Sequence, residues 1–384
     1  MCPIKKVFAN LLVCPILNGK KRRQARQQIL DFRLTDFIVK HKFLSAQNRQ
    51  NSVLLIETNN CHGEVLSGYI QYFQKLGFNI DILINSGIKN ENPFCRLNME
   101  NVRIYSCGSI ALKGILKSKK IMEYTHIFLM SSAYYQENGK ELYTSALDKF
   151  AELGKHPSLY AVEHDLVDIQ RFKEEDLLEK NHLITLGHFE KGVFMCPILF
   201  GNTQKNPKNE ITTFITIGTI KRFRRNHQAL IQAIEKLASE NLKFKVIVVG
   251  KGKLKQLPKW VRPYIKIMGR LKFPKMFACL ECADFFLPLL DADNPEHERY
   301  ITTGVTGSAQ LIYAFSKVPV LHPKFASFYR FDDNNSILAT DLADGMRQAI
   351  QMTKSEHALK QSALTDLAKN LEKETSNNLM EILK

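Results

Sequence analysis

The forty residues from Thr213 to Gly252 constrain the fold of this chain most strongly. An apolar run at 214–217 meets Gly218 and a basic cluster, and a helix-period segment then leads to a second apolar run at 246–249. That run ends in Gly250-Lys251-Gly252, in which Lys251 is a candidate donor-binding residue. Strand, basic loop, helix, strand and glycine loop in this order are typical of half of a nucleotide-binding α/β domain, because glycines let the backbone approach phosphates and the helix start offers unpaired N–H groups. The basic side chains that would neutralise a diphosphate are Lys221, Arg222, Arg224 and Arg225.

Composition limits the classes of protein to which this chain can belong. With 384 residues, the chain exceeds what one hydrophobic core usually organises, and 45% apolar content excludes a mainly disordered protein. We therefore expect two domains. The 54 Lys and Arg against 38 Asp and Glu give a net charge of +16, which favours phosphate-bearing substrates, anionic membranes or nucleic acid as partners.

The first fifty residues carry eleven Lys or Arg and two Asp, more than half of the net charge. The segment from Lys20 to His41 contains no Gly or Pro, so it predicts a basic amphipathic helix. Two interpretations stay open: the helix rests on an anionic lipid leaflet, or it packs its apolar stripe on the first domain. The basic line comprises Arg22, Arg26, Arg33 and Lys40, and the apolar stripe beside it comprises Leu30, Leu34, Phe37 and Ile38.

The eight cysteines are scattered, and only Cys279 and Cys282 have the spacing of metal ligands. No second pair completes a zinc site, so we expect reduced thiols in a cytoplasmic protein. The apolar segment from Val7 to Leu17 is too short to span a bilayer and does not resemble a secretory signal. We expect no membrane-spanning segment.

Strand-like and helix-like segments alternate after Ser52, which predicts a doubly wound parallel sheet with its ligand at the carboxyl ends of the strands. One polar loop at 59–64 follows the first strand, and another at 163–165 follows a later strand. A histidine in either loop is suited to orient or deprotonate an acceptor hydroxyl. Helix capping for the first loop and a strand-end hydrogen-bond pair for the second are the structural alternatives. The candidate catalytic residues are His62, Glu64, His164 and Asp165.

A polar stretch at 201–210 separates two halves that both alternate strands with helices. We predict a basic segment at 1–50, an acceptor-side domain at 51–200, a linker at 201–210, a donor-binding domain at 211–340 and C-terminal helices at 341–384. The fold class is therefore α/β, with two Rossmann-like domains facing each other across a cleft.

A second candidate donor segment extends from Pro288 to Gln310. We expect an acidic loop at 296–300, in which Glu298 is a candidate ligand for ribose hydroxyls. Small residues then lead into a helix whose N–H groups are suited to bind a phosphate, although an ordinary helix cap explains them equally. The candidate donor-binding residues on this side are Thr303, Gly304, Gly307, Ser308 and Gln310.

With these motifs in order, the chain resembles bacterial glycosyltransferases of the GT-B fold, similar to family 4 and to its branch in lipopolysaccharide and surface-polysaccharide assembly. The resemblance rests on "FITIGTIKRFRRNHQALIQAI", "VIVVGKGK" and "GSAQLIYAFSKVPVL" in the second half, and on "HGEVLSGYIQYFQKLGFNIDIL" and "VEHDL" in the first. It places Gly218 and Arg225 at the donor diphosphate. The family typically has two glutamates eight positions apart, and Thr302 and Gln310 occupy those places here.

The resemblance implies transfer of a sugar from a nucleoside diphosphate sugar to a hydroxyl of a lipid-linked, lipopolysaccharide or capsular glycan. We expect no metal or other cofactor, because arginine and helix N-termini are suited to neutralise the leaving group and no Asp-x-Asp motif is present. The expected partners are the sugar donor, the glycan or glycolipid acceptor and the anionic inner face of the cell membrane. A nucleotide-sugar epimerase, a noncatalytic GT-B-like subunit and, less favoured, a nucleic-acid-binding protein are the alternatives.

Overall fold

The computed structural model describes residues 10, 14–15, 19, 21–22, 34–59, 62–131, 133–134, 144–145, 151–166, 180, 182–220, 224–254 and 257–384. The strands are β1 Ser52–Glu57, β2 Asn79–Asn85, β3 Val102–Cys107, β4 His126–Leu129, β5 Ala133–Tyr134, β6 Thr144–Ser145, β7 Leu159–Glu163, β8 Leu183–Thr185, β9 Val193–Phe194, β10 Thr212–Ile217, β11 Phe244–Val249, β12 Ile265–Gly269, β13 Phe285–Phe286, β14 Val318–Leu321 and β15 Ile337–Leu338. The helices are α1 Leu34–Ser45, α2 Gly63–Lys75, α3 Ser86–Glu91, α4 Ser109–Leu116, α5 Ala151–Gly154, α6 His227–Ser239, α7 Phe273–Cys282, α8 Pro295–Thr302, α9 Gly307–Phe315, α10 Leu342–Gln351 and α11 Lys354–Ile382.

Two parallel sheets organise most of these elements, which confirms the predicted α/β class; β5 and β6 pair separately as a two-stranded antiparallel sheet. One has seven strands in the order β3-β2-β1-β4-β7-β8-β9, and the other has six in the order β12-β11-β10-β13-β14-β15. All six residues of β1 are buried, as a parallel sheet covered on both faces requires. Parallel order places the strand-end loops of each sheet along one edge, where the sequence predicts the functional residues.

The chain divides into two compact units. The first comprises Met1–His62, Phe73–Asn90 and Met99–Tyr160, and the second comprises Gly63–Tyr72, Glu91–Asn98 and Ala161–Lys384. Apolar side chains of β10, β11, β13 and β14 form much of the core of the second unit, together with those of α6, α7 and α9. The domain limits proposed from the sequence remain predictions.

Within the first unit, Lys21 and Arg22 are helical, and α1 is the longest described part of the predicted basic helix; it ends at Ser45 rather than at His41. Its Phe43 is fully buried and lies edge-on to Tyr105 at 5.0 Å between ring centroids. Two residues of the predicted apolar stripe point away from this contact, because Phe37 is 61% exposed and Ile38 is 46% exposed. These two side chains therefore do not pack on the domain. The stripe and basic-line residues Arg26, Leu30 and Arg33 lie outside the described residues, as does the side chain of Leu34.

The C-terminal segment is helical as predicted, and its long helix α11 belongs to the second unit. The Thr375 hydroxyl of α11 accepts a hydrogen bond from the Cys196 N–H at 2.9 Å, and the Asn378 amide donates to the Phe194 carbonyl at 2.8 Å. Helix α11 thus fixes the chain at and just after β9. None of the helices in the described part of the chain combines the length and the apolar character that crossing a membrane requires.

One predicted loop is wrong. Residues 296–300 form most of helix α8 rather than an irregular acidic loop. Asn294 caps this helix by accepting a hydrogen bond from the Glu296 N–H at 3.1 Å, and Pro295 occupies its first turn, where a missing N–H has no cost. The cap and the proline favour the start of a helix here, although the charged residues that follow are also typical of a loop.

Candidate functional site

The loops after β10 and β11 meet through their glycines. A methyl group built on Gly250 would lie 1.6 Å from the Gly218 carbonyl oxygen, and one built on Gly252 would lie 2.7 Å from the Ile220 carbonyl oxygen. Gly218 has a φ of +147° and Gly252 a φ of +131°, which side chains rarely permit. The two loops therefore pack backbone against backbone at the carboxyl edge of the sheet, where the sequence predicts a phosphate-binding loop.

Arg225 occupies the centre of this region and is only 7% exposed. Its guanidinium donates to the Thr306 hydroxyl at 3.1 Å, to the Ser308 hydroxyl at 3.0 Å and to the Arg224 carbonyl at 2.8 Å. Its buried Nε has no hydrogen-bond partner in the described part of the chain, and a methyl group on Gly218 would lie 3.3 Å from this atom. Burial lowers the pKa of Arg225 from its usual value. A bound anion would offset that cost.

These contacts bring the two candidate donor segments together, as the sequence predicts. Helix α9 starts at Gly307, with Thr306 as its N-cap. Ser308 is buried and follows in the first turn. The buried Arg225 guanidinium therefore lies at a helix N-terminus, and both of these features attract anions.

Two tyrosines that the sequence analysis does not single out hold this helix start. The Tyr329 hydroxyl accepts a hydrogen bond from the Thr306 N–H at 3.0 Å and donates to the Tyr300 carbonyl at 2.6 Å. The Arg225 guanidinium carbon lies 5.9 Å from the centre of the Tyr300 ring. Nothing in the local sequence pattern marks Tyr329, because it comes from a short 3-10 turn at Ser327–Tyr329, about twenty residues further along the chain.

The remaining predicted donor ligands differ in how accessible they are. Gly304 N–H donates to the Arg299 carbonyl at 2.7 Å, so it is not available to a phosphate, and this expectation is wrong. Glu298 is exposed on α8, and Lys251 is exposed between its two glycines. Thr303 terminates α8 as its C-cap, and its side-chain hydroxyl has no partner within the described residues. Gln310 is 4% exposed and lines a small cavity with His188, Phe328 and Arg330. The predicted donor ligands Lys221 and Arg222 lie outside the described residues.

On the acceptor side, His164 interacts electrostatically with the Glu64 carboxyl. Burial raises the pKa of the Glu64 carboxyl, while a backbone hydrogen bond and His164 act in the opposite direction. His62 precedes α2 with a left-handed φ of +64°, an uncommon conformation for a residue other than glycine. Strain of this kind is often found at functional positions.

Asp165 is held by two contacts to the α8 region. It forms an ion pair with Arg299 and a β-bridge with Gly304. The next N–H, that of Leu166, donates to the Thr303 carbonyl at 2.5 Å. These contacts give Asp165 a structural role. The sequence pattern indicates only a hydrogen-bond pair at the strand end as the structural alternative for this loop. The buried Glu163 carboxylate at the end of β7 accepts from the His164 N–H at 2.9 Å and so orders the same loop.

Metal-ligating clusters are also relevant to the predicted chemistry. Across the ranges that the structure describes, His, Cys, Asp and Glu side chains form no group of three or more that could hold a metal ion.

The two parallel α/β sheets and their strand order define the GT-B fold of glycosyltransferases. The chain is similar in structure to a glycosyltransferase from Rickettsia africae, with 12% identity, a TM-score of 0.56 and coverage of 88% of this chain and 98% of that one. It is also similar to a mutant of Staphylococcus aureus TarM in a complex with UDP (11% identity, TM-score 0.54, coverage 87% and 100%) and to Anabaena Alr3699/HepE in complex with UDP (13%, 0.52, 86% and 100%). No protein-family model matches the sequence, and a comparison with curated proteins finds no match.

Proposed function

We propose that this protein is a glycosyltransferase that moves a sugar from a nucleoside diphosphate sugar to a hydroxyl of a lipid-linked, lipopolysaccharide or capsular glycan. The contact of Arg225 with Thr306 and Ser308 carries the proposal, because it concentrates positive charge and oriented dipoles on one buried point. UDP is bound in two of the similar structures, which supports a nucleotide ligand in this one.

In the proposed reaction, the bond between the sugar C1 and the diphosphate oxygen breaks, and a bond from the acceptor oxygen to C1 forms. Negative charge grows on the departing diphosphate, and Arg225 with the start of α9 is placed to stabilise it. Lys221 and Arg222 are proposed as additional ligands on the same loop, with Lys251 on the neighbouring one. This neutralisation needs no metal ion.

The acceptor hydroxyl is assigned to the side of Glu64 and His164. Burial raises the pKa of the Glu64 carboxyl, and a general base works best with a pKa near the working pH, so we propose Glu64 as the group that accepts the hydroxyl proton. We assign Asp165 a positioning role, since Arg299 already pairs with its carboxylate. His62 is proposed to orient the acceptor.

The membrane is the proposed location of the acceptor, and α1 supports this assignment. Phe37 and Ile38 are exposed on a helix that also carries exposed Lys42. Apolar and basic side chains together on one helix surface are typical of helices that lie in the lipid interface. We therefore propose a peripheral position on the inner face of the cell membrane.

The direct test is incubation of the protein with a panel of labelled nucleotide sugars and bacterial membrane lipids, followed by extraction of the lipid fraction. Transfer of label from one donor, lost in Arg225→Ala, is the expected result. Donor binding without transfer to any acceptor would favour the noncatalytic subunit that Thr302 and Gln310 motivate. Conversion of the free nucleotide sugar into an isomer would instead establish the epimerase.

A further inference from the structure

The outer edge of the six-stranded sheet carries a third concentration of positive charge. From residue 241 to residue 280 the chain contains nine Lys and two Arg but no Asp or Glu. The described basic side chains of this stretch are all exposed. Lys251 belongs to the glycine loop of the proposed donor site. We call the surface formed by the following side chains the basic edge: Lys243, Lys245, Lys259, Arg262, Lys266, Arg270, Lys272 and Lys275.

The topology places Lys245 and Lys266 on the same face of the sheet at its edge. Strand β12 is the last strand of the sheet, and it pairs only with β11 among the described strands. Lys266 on β12 is in register with Ile247 of β11, while Lys245 lies two residues before Ile247 on the same face of that strand. A short 3-10 turn at Arg262–Tyr264 leads into β12, and the Tyr264 ring stacks on Phe244 at 4.9 Å.

Two hydrophobic side chains are exposed within this charge. Trp260 is 65% exposed and Ile267 is 40% exposed. The Trp260 indole N–H donates to Glu235 at 3.2 Å, which orients the ring on the surface. Two carboxylates from other segments reach the basic edge. One is Glu235, and the other is Glu91, which pairs with Arg270 at 3.1 Å. Most of the positive charge is therefore not compensated by the ion pairs of the described residues.

The chemistry favours a lipid surface over a nucleic acid. Nine of the eleven basic residues are lysines, which act as mobile point charges, whereas recognition of nucleic-acid phosphates and bases favours the planar fork of arginine. Trp260 is also the only exposed aromatic side chain among the described residues of this edge, since Tyr264 and Phe273 are half-buried, and single-stranded nucleic acid needs a series of stacking rings. One tryptophan and one isoleucine among lysines suit the boundary between headgroups and acyl chains.

We infer that the basic edge docks on an anionic phospholipid surface, with Trp260 and Ile267 entering the interface. This deepens the proposed function, on which it rests for the lipid-borne acceptor, by giving the donor-binding unit a membrane contact separate from that of α1. Positive charge at this edge attracts the anionic leaflet, and the two hydrophobic side chains add a short-range contact.

The protein contains one tryptophan, so its tryptophan emission, excited selectively over that of the tyrosines, reports on Trp260 alone. We expect vesicles containing phosphatidylglycerol to shift the emission to shorter wavelength and brominated acyl chains to quench it. Neutral phosphatidylcholine vesicles should produce no shift, and about 0.5 M salt should remove most of the effect because charge attraction is screened. An unchanged emission on vesicles that carry the protein down in sedimentation would overturn the inference, while membrane contact through α1 would remain.

The matched variants separate the basic edge from net charge. Replacing Lys245, Lys259 and Lys266 with Glu should weaken binding to anionic vesicles by at least roughly 100-fold, because each change removes one attractive charge and adds a repulsive one. Replacing three exposed lysines of the C-terminal segment, Lys369, Lys373 and Lys384, with Glu changes the net charge equally and should weaken it far less. Equal losses in both variants would contradict the inference, as would a Trp260 shift produced by duplex RNA and not by vesicles. Label transfer from nucleotide sugar to a soluble acceptor tests the proposed activity independently.

Discussion

Arg225 and Ser308 lie 83 positions apart in the chain, yet the guanidinium nitrogen and the serine hydroxyl oxygen are 3.0 Å apart. This contact joins the loop after β10 to the first turn of α9. Each segment alone is a weak indication of phosphate binding, because glycine turns and helix caps are common. Together they form a buried cationic point beside a helix N-terminus, and the proposed diphosphate site rests on this arrangement.

Gly250→Ala should destabilise the protein by about 2 kcal/mol or more, because the new methyl group would meet the Gly218 carbonyl at 1.6 Å and backbone atoms there must move. Urea unfolding measures the loss, and a nucleotide titration should show weaker donor binding as well. Unchanged stability together with unchanged binding would show that the two loops do not meet in this way.

Gly307→Ala is the matched substitution in the other donor segment. Apart from its chain neighbours and the backbone of its own helix, no atom of the described residues lies within 4 Å of the position that the new methyl group would occupy, and the backbone there is not left-handed. Because alanine restricts the unfolded chain more than glycine does, the free energy of unfolding should stay level or rise by up to about 1 kcal/mol. A loss as large as that of Gly250→Ala would indicate that the start of α9 is packed differently.

A positioning role of Asp165 can be distinguished from a role as catalytic base by comparing Asp165→Asn with Arg299→Gln. If the ion pair positions the loop that carries His164, both changes should lower the transfer rate by a similar factor, and the double variant should be little worse than either single one. Stability and rate should both be measured. A rate abolished only in Asp165→Asn would make the carboxylate itself a catalytic base.

Lys317 provides a test that depends on pH. This lysine is 1% exposed, donates to the Ala283 carbonyl at 2.7 Å and has a pKa lowered to about 8, chiefly by burial. Its ordinary pKa is 10.5, so between pH 8 and that value the unfolded chain binds more protons and the contribution of Lys317 to stability rises with pH.

Buried thiols make stability fall as the pH rises, which is opposite to the effect of Lys317, since burial raises the pKa of Cys107 to about 12. The informative quantity is therefore the free energy of unfolding of the wild type minus that of Lys317→Met. This difference should grow by about 1 kcal/mol between about pH 8 and pH 9.5. Lys373→Met, on an exposed part of α11, is the control and should show no comparable trend; a flat difference for Lys317 would refute the prediction.

The exposed face of α1 predicts a separate loss of membrane binding. Phe37→Ser with Ile38→Ser should reduce sedimentation with vesicles several-fold without changing the thermal midpoint, because both side chains are already exposed. Leu359→Ser, at a position 71% exposed on α11, is the control for the loss of a surface hydrophobic group. A drop in the thermal midpoint of the α1 variant would instead show that these side chains pack within the protein.

The regular parts of this fold are predictable from the sequence because apolar runs between helical periods specify buried parallel strands directly. Gly218 and Arg225 are predictable for a related reason, since the strand and helix around them fix where their loop must lie. Tyr329 and Arg299 are not, because their roles depend on contacts between segments that are distant in the chain. Gly304 shows the same limit: its residue type suits an anion site, but the Arg299 carbonyl already accepts its N–H.

The most direct test of the central claim is a thermal-shift panel of UDP, GDP, ADP, CMP and their sugars on the wild type and Arg225→Ala, with Arg262→Ala as an exposed arginine control. A ligand at about 100 times its dissociation constant adds about 2.7 kcal/mol to the stability of the folded protein. We predict stabilisation by one nucleotide family, retained in Arg262→Ala and lost in Arg225→Ala. No stabilisation of the well-folded wild type by any of these ligands would contradict an active glycosyltransferase.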